Sequence, residues 1–332
     1  MQEMQQDELH LMARWQRVQL MPKPHVVTRI SSLAGQGRAS KVGAVFWFSP
    51  IATLPAESCP MSAVLKPVLT ASLALNPHPQ RKDWFDPASP RPTVEEERRY
   101  RKERLAVAFR LFAQWGFDYG LAGHITARDP QLLDHFWVNP LGIHFSQIKV
   151  SDLLLVNAHG EIVVGEGPLN RAAFAIHAAL HEARPDVVAA AHTHSTYGKA
   201  WSTLGRKLDP LTQDSCVFYG DHGLFDDFSG VVLETDEGFR IGKALGPHKA
   251  VILKNHGILT VGPSVESAAW WYIALENACQ AQLLAEAAGK PSPIAHDVAV
   301  LTHSQIGRHG GAEHAFHSLY DIVVRQQPEV LQ

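Results

Sequence analysis

His192 and His194 stand two residues apart in Ala191-His192-Thr193-His194-Ser195, at the end of the apolar run Val187 to His192. A β-strand repeats every two residues, so this spacing puts both imidazoles on one face, close enough to share an ion. The plainer reading is a pair of histidines satisfied by hydrogen bonds at a strand end. A third histidine tips the balance. His256 follows the apolar run Val251 to Lys254 in Asn255-His256-Gly257, where Gly257 permits the tight turn that aims a ring sideways into a cleft. Three imidazoles leave open positions on a divalent ion, as catalytic zinc sites do. His192, His194 and His256 are therefore the expected metal ligands. Zinc suits such a set best without redox chemistry, and iron, manganese or cobalt accept the same ligands.

The elements that must carry these residues begin at Thr93. Thr93 and Glu96 have capping-box spacing, and Leu105, Ala108, Phe109 and Phe112 mark one buried face of a helix from Val94 to Trp115, stopped at Gly116. Ile125 to Ala127 and Phe136 to Val138 read as short strands with Asp129-Pro130 as a turn between them. Asp152 to Val156 and Glu161 to Val164 read as a hairpin around Asn157-Ala158-His159-Gly160. A helix from Arg171 to Ala183 follows, capped by Asn170 and stopped by Arg184-Pro185-Asp186. Val187 to His192, Val251 to Lys254 and Val231 to Leu233 are the candidate inner strands. The last strong element is an alanine-rich helix from Val265 to Ala288, with Gly289 as its terminator. Helices before, between and after short strands predict helical layers over a central sheet.

The rest of the chain is less regular. Residues 1–92 carry scattered prolines from Pro22 to Pro92 and one isolated apolar run, Val42 to Phe48, and read as a poorly structured extension with Met61 as a second potential start. Residues 93–290 form the expected domain. Residues 291–332 read as a polar tail whose apolar patch, Leu319, Tyr320, Ile322, Val323 and Val324, packs as a short helix on this subunit or a neighbour.

Composition removes several function classes. The 332 residues hold 30 basic and 33 acidic side chains, a formal charge of -3, with no basic stripe interleaved with aromatics, so no nucleic-acid partner is expected. No apolar run reaches the roughly 18 residues that cross a bilayer, so no membrane partner is expected either. Three dispersed cysteines, Cys59, Cys216 and Cys279, suggest neither a disulfide framework nor a CxxC metal site, and a reducing, cytoplasmic setting is the simplest expectation. The basic, acid-poor stretch Arg17 to Lys41 leaves mitochondrial targeting open, against the acidic Met1 to Glu8. There is no GxGxxG or GxxxxGK[ST] loop for a nucleotide and no GxSxG nucleophile elbow, so Ser195 reads as a loop hydroxyl.

Over about residues 100–290 the sequence resembles the class II aldolase/adducin domain, most closely its adducin-like branch. Gly123-His124-Ile125-Thr126 and Asn139-Pro140-Leu141-Gly142 resemble its early loops. Arg184-Pro185-Asp186 with His192-Thr193-His194 resembles its metal-bearing segment, and Asn255-His256-Gly257-Ile258-Leu259-Thr260-Val261-Gly262 the segment with the third metal histidine. The resemblance implies an α/β fold, a three-layer α/β/α sandwich with a largely antiparallel central sheet. It also implies a homo-oligomer, commonly a tetramer, with metal sites near subunit boundaries. The family spans aldolases, epimerases, decarboxylases, iron oxygenases and the non-catalytic adducin head, so fold alone does not settle function.

The resemblance implies a metal-dependent carbon-carbon lyase acting on a small hydroxylated carbonyl or carboxylic molecule, by aldol cleavage or by decarboxylation. In both reactions the ion stabilises negative charge that appears on oxygen as the bond breaks. An iron-dependent oxygenase on the same ligands and a non-catalytic interaction module are the alternatives. Two departures from the aldolases stand out. Ala173 occupies the position of their catalytic glutamate, and His124 that of the asparagine that holds phosphate. Glu166, in Gly165-Glu166-Gly167-Pro168, is the substitute base the sequence offers, with a solvated loop carboxylate as the plainer reading. His124 is a candidate partner for a carboxylate or phenolic oxygen. Tyr197, Asp214 and His222 complete the catalytic candidates, with Tyr219 and Asp221 in the same polar loop. His177 and His181 lie four apart on one helix face, and His177, among Phe174 and Leu180, reads as a buried group behind the site rather than a ligand.

Overall fold

The computed structural model describes residue 91, residues 93–230 and residues 235–332. The expected strands Val42 to Phe48 and Val231 to Leu233, and the readings of the early extension, lie outside the described residues.

The first described helix, α1 (Val94–Gln114), starts where the sequence predicts. Thr93 Oγ1 accepts from the Glu96 amide, and Glu96 accepts from the Thr93 amide in return. At its other end Gly116 takes a left-handed φ of 73° that other residues avoid. The chain then runs β1 (Gly123–Arg128), β2 (Phe136–Val138), β3 (Leu154–Val156), β4 (Ile162–Val164), α2 (Arg171–Ala183) and β5 (Ala189–Thr193). It continues through α3 (Thr196–Ser202), β6 (His222–Phe225), α4 (Thr235–Leu245), β7 (Ala250–Leu253), β8 (Gly257–Gly262) and α5 (Val265–Ala288). Two further helices, α6 (His296–Ile306) and α7 (His309–Gln326), follow. The segment expected to hold one short helix therefore holds two, and Phe316, Tyr320 and Val323 of α7 are buried in this chain's own core.

The eight strands of the described residues join one sheet in the order β4-β3-β2-β1-β5-β8-β7-β6. Every pairing is antiparallel except β6 with β7, because α4 crosses over between those two strands. Alternation of side chains along the central strands divides the interior into two layers. Ile125 and Ala127 of β1, Ala189 and Ala191 of β5 and Ile258 of β8 face the core shared with α1, α5 and α7. Ala190, Val251, Leu253, Leu259 and Val261 face the layer of α2 and α4, which supplies Ile176, Leu180, Ile241 and Leu245. The result is a three-layer α/β/α sandwich. Its construction places His192, which shares the parity of Ala190, under α2 rather than under α5.

Candidate metal centre

The register of β1 against β5 pairs His124 with His192 and Thr126 with Ala190. Residues directly opposite on a sheet share a face, so His124, Thr126 and His192 form a polar seam on the α2 side of an otherwise apolar sheet. His192 is 1% exposed, and its Nδ1 donates to the Ile258 carbonyl at 2.8 Å. That bond fixes the tautomer and turns the Nε2 lone pair away from the strand. His194 lies one residue beyond the end of β5. His256 sits in the turn from β7 to β8, a turn in which Asn255 has φ 62°, the one left-handed non-glycine among the described residues. The chain must pass close to β5 immediately after it. A Cβ on Gly257 would stand 3.3 Å from the Thr193 carbonyl oxygen, so glycine suits the approach.

These three short segments bring the predicted ligands together. One ring nitrogen from each of His192, His194 and His256 lies within 4.8 Å of the others. The Nε2 atoms of His194 and His256 are 3.1 Å apart, and ring centroids are separated by 4.7 Å for His192 and His256 and by 5.4 Å for His192 and His194. Burial pushes all three rings towards the neutral form. It holds His192 well below the ordinary imidazole range and His256 at about 4, the neighbouring rings adding to the effect, while Lys199 adds to the depression at His194. Neutral imidazoles offer lone pairs. The donor set therefore fits a divalent ion, with His194 and His256 half-buried so that open positions would face outwards.

Residues 103–283 match the family described as "Class II Aldolase and Adducin N-terminal domain". The chain belongs to that family. It is 48% identical over 250 residues to "Decarboxylase NovR" of Streptomyces niveus, covering 75% of this chain and 93% of that one. It is also 48% identical, over 240 residues, to "4-hydroxy-3-prenylphenylpyruvate oxygenase/4-hydroxy-3-prenylbenzoate synthase" of Streptomyces roseochromogenus subsp. oscitans, covering 72% and 87%. Among solved structures it resembles "L-fuculose 1-phosphate aldolase from Glaciozyma antarctica PI12", with TM-score 0.68, 46% identity and coverage of 73% and 95%.

In this class II aldolase/adducin domain the other predicted residues are scattered. His124 is at the centre: its ring lies 5.3 Å from that of His192 and 4.2 Å from that of His177, and neither of its buried nitrogens has a hydrogen-bond partner. Glu166 is exposed on the loop between β4 and α2 and forms no hydrogen bond or ion pair with the three histidines. Tyr197, on α3, packs against the core of the α1 and α5 layer. Asp214 opens a short 3-10 helix and is exposed. His222 is on the edge strand β6 with both nitrogens occupied: Nδ1 donates to the Phe218 carbonyl at 2.6 Å and Nε2 accepts from the Leu208 amide at 3.0 Å. Such a ring has no atom left for a reactant. Asp221 is held by Lys249 at 3.0 Å and His303 at 3.2 Å, and the Tyr219 hydroxyl bonds His296 at 2.9 Å.

Three contributions escape a sequence reading. Thr126 bridges His177 and His181 beneath the seam. Phe228 places its ring 6.3 Å from that of His256 and is 43% exposed, an apolar wall beside the centre. Tyr272 and Glu276 reach from α5 to the segment around His194. Tyr272 and Glu276 lie one helical turn apart, but the same helix carries other polar residues, and nothing local points to the segment they hold.

Proposed function

We propose that this protein is a divalent-metal-dependent carbon-carbon lyase acting on a small hydroxylated carbonyl or carboxylic compound, and that its reaction is decarboxylation. The observation that carries this reading is the composition of the centre. Among the described residues the metal-capable group holds three histidines and no carboxylate, and the chain has alanine at 173. Aldol cleavage begins by taking a proton from the hydroxyl on the departing carbon, so it needs a base within hydrogen-bond reach. Decarboxylation needs none: the carboxylate leaves as carbon dioxide, its bonding electrons stay on the carbon beside the carbonyl, and a solvent proton completes the product. A divalent ion held by the three rings would supply Lewis-acid stabilisation of negative charge on the carbonyl oxygen.

The chain's own residues support the same substrate class. His124, neutral and adjacent to His192, offers hydrogen bonding to a carboxylate or phenolic oxygen, and Phe228 offers a face to an apolar or aromatic portion. A relative called a decarboxylase, 48% identical over nearly its full length, agrees. The Glaciozyma neighbour's name, an aldolase, supports aldol cleavage, and Ala173 weighs against it. A second reading, an iron-dependent oxygenase, is favoured by the name of the second Streptomyces relative. The ion would then be iron rather than zinc, manganese or cobalt. A homo-oligomer is the assembly we expect.

The test is incubation of purified protein, with and without oxygen, with small 3-oxo and hydroxylated carboxylic acids and with sugar phosphates. Metal-dependent release of carbon dioxide without oxygen, lost in His194→Ala, is expected. Release that requires stoichiometric oxygen would establish the oxygenase reading, and cleavage of sugar phosphates without carbon dioxide would overturn decarboxylation.

A further inference from the structure

His192 is held by its strand and by the Ile258 carbonyl, but His194 lies beyond the last residue of β5 and among the described residues its ring hydrogen-bonds only His256. What fixes its place is the chain on either side, and both sides are tied to α5. Before it, the Tyr272 hydroxyl donates to the Thr193 carbonyl at 2.9 Å and lies 2.8 Å from Thr193 Oγ1. After it, Glu276 Oε2 accepts from Ser195 Oγ at 2.6 Å and from the Gly198 amide at 2.6 Å, while Oε1 accepts from the Tyr197 amide at 2.7 Å. Tyr272 and Glu276 are one turn apart on the same face of α5.

The arrangement departs from the local option. Ser195 occupies the N-cap position of α3, where its own hydroxyl would ordinarily accept from the first free amides of the helix. Instead Ser195 gives its proton to Glu276, and Glu276 takes those amides. The cap comes from a helix some eighty residues away in sequence and ties the histidine-bearing segment to the α5 layer. Gly198 belongs to the same device: a Cβ there would stand 2.9 Å from Glu276 Oε2 and 2.8 Å from Ile258 Cγ1.

We propose that Glu276 is a positioning residue for His194, holding the segment 195–198 so that the His194 ring stays in ligand range of His192 and His256. The inference rests on the three histidines being a metal centre. Metal ligation tolerates only a few tenths of an ångström, so a small drift of this segment would weaken binding without unfolding the sheet. A glutamine at 276 keeps one acceptor oxygen and turns an NH2 group against amide donors.

The experiment measures affinity for zinc by competition with a chromogenic chelator, and the visible spectrum of the cobalt-loaded protein, in full-length wild type, Glu276→Gln, Ser195→Ala and Ala278→Gly. Ala278→Gly weakens α5 and removes no side-chain hydrogen bond to residues 195–198, so it controls for loss of stability. A loss of affinity of about 10- to 100-fold in Glu276→Gln, a smaller loss in Ser195→Ala and a shifted cobalt spectrum in both are expected. Should Glu276→Gln fail to fold, Ser195→Ala alone decides. Wild-type affinity and spectrum in the folded variants, or an equal loss in Ala278→Gly, would overturn the assignment. Failure of the wild-type protein to bind either ion would instead remove the metal centre itself.

Discussion

Thr126 Oγ1 lies 2.6 Å from Nδ1 of His177 and 2.9 Å from Nε2 of His181, so one hydroxyl bridges the two histidines of α2. Arg128 closes the chain at its far end, its guanidinium donating to the His181 carbonyl at 2.6 Å and to the Val187 carbonyl at 3.0 Å. At the near end the His177 ring lies 4.2 Å from that of His124, and the His124 ring 5.3 Å from that of His192. A buried polar chain thus runs from the end of β1 to the ring next to His192.

Removing the middle of that chain should be costly. Thr126→Val keeps the shape and leaves His181 Nε2 and His177 Nδ1 buried without partners, at roughly 1–3 kcal/mol for each orphaned group. Thr126→Ser keeps the hydroxyl and should recover most of the loss. Urea unfolding of the three proteins checks this, and equal midpoints for the valine and wild-type chains would show that the bridge contributes nothing to stability.

Acid should destabilise the fold well before the carboxylates titrate. Burial pushes His222 down to about 4 and His181 to about 3, each from an ordinary value of 6.5. Between those values and 6.5 the unfolded chain binds protons that the folded chain does not, so stability is fully present above pH 6.5 and falls as the pH drops. The slope is about 1.4 kcal/mol per pH unit for each such histidine. A second loss follows below about pH 4 at Asp129. Burial alone would raise its carboxyl, but the Arg98 guanidinium, the Leu132 and Gln131 amides and the Trp137 indole hold it well below the usual carboxylate range. Urea midpoints from pH 7.5 to 4.5 measure the first window, and a flat profile there would contradict neutral burial of the two rings.

The crossing of α4 over β6 should tolerate no side chain at Gly223. A Cβ at that position would stand 2.2 Å from the Ala244 carbonyl oxygen, a backbone atom that cannot rotate aside. Gly223→Ala is expected to cost about 1–3 kcal/mol as β6 and α4 move apart. Thermal unfolding measures it, and a wild-type melting temperature would show that the helix is free to shift.

Sequence patterns reveal elements whose signals are local and hide those whose causes are not. The capping box at Thr93 and Glu96 and the glycine stop at 116 define α1 almost to the residue. The two-residue spacing of His192 and His194 puts both in one centre with His256. By contrast, β6 is four residues long, β8 starts immediately after a tight turn, and α3 spans seven residues, too short for a clear apolar period. Helices α6 and α7 are mixed in composition and draw their order from burial of Ala299, Ala312, Phe316 and Val323. His222 illustrates the opposite error. Its polar surroundings in sequence suggest a reactive loop, whereas the fold supplies Phe218 and Leu208 as partners for both nitrogens. Glu276 is invisible for a related reason, because its partners lie near residue 197 and no local spacing announces them.

The proposed chemistry requires His192, His194 and His256 to hold one divalent ion between them. Elemental analysis of the full-length protein, purified without added metal and compared with His256→Ala, tests it most directly. Close to one zinc, iron, manganese or cobalt ion per wild-type chain and nearly none in the variant is the expected result, with the fold of both intact by circular dichroism. Metal-free wild-type protein that takes up none of these ions on addition, or equal metal content in the two proteins, would contradict it.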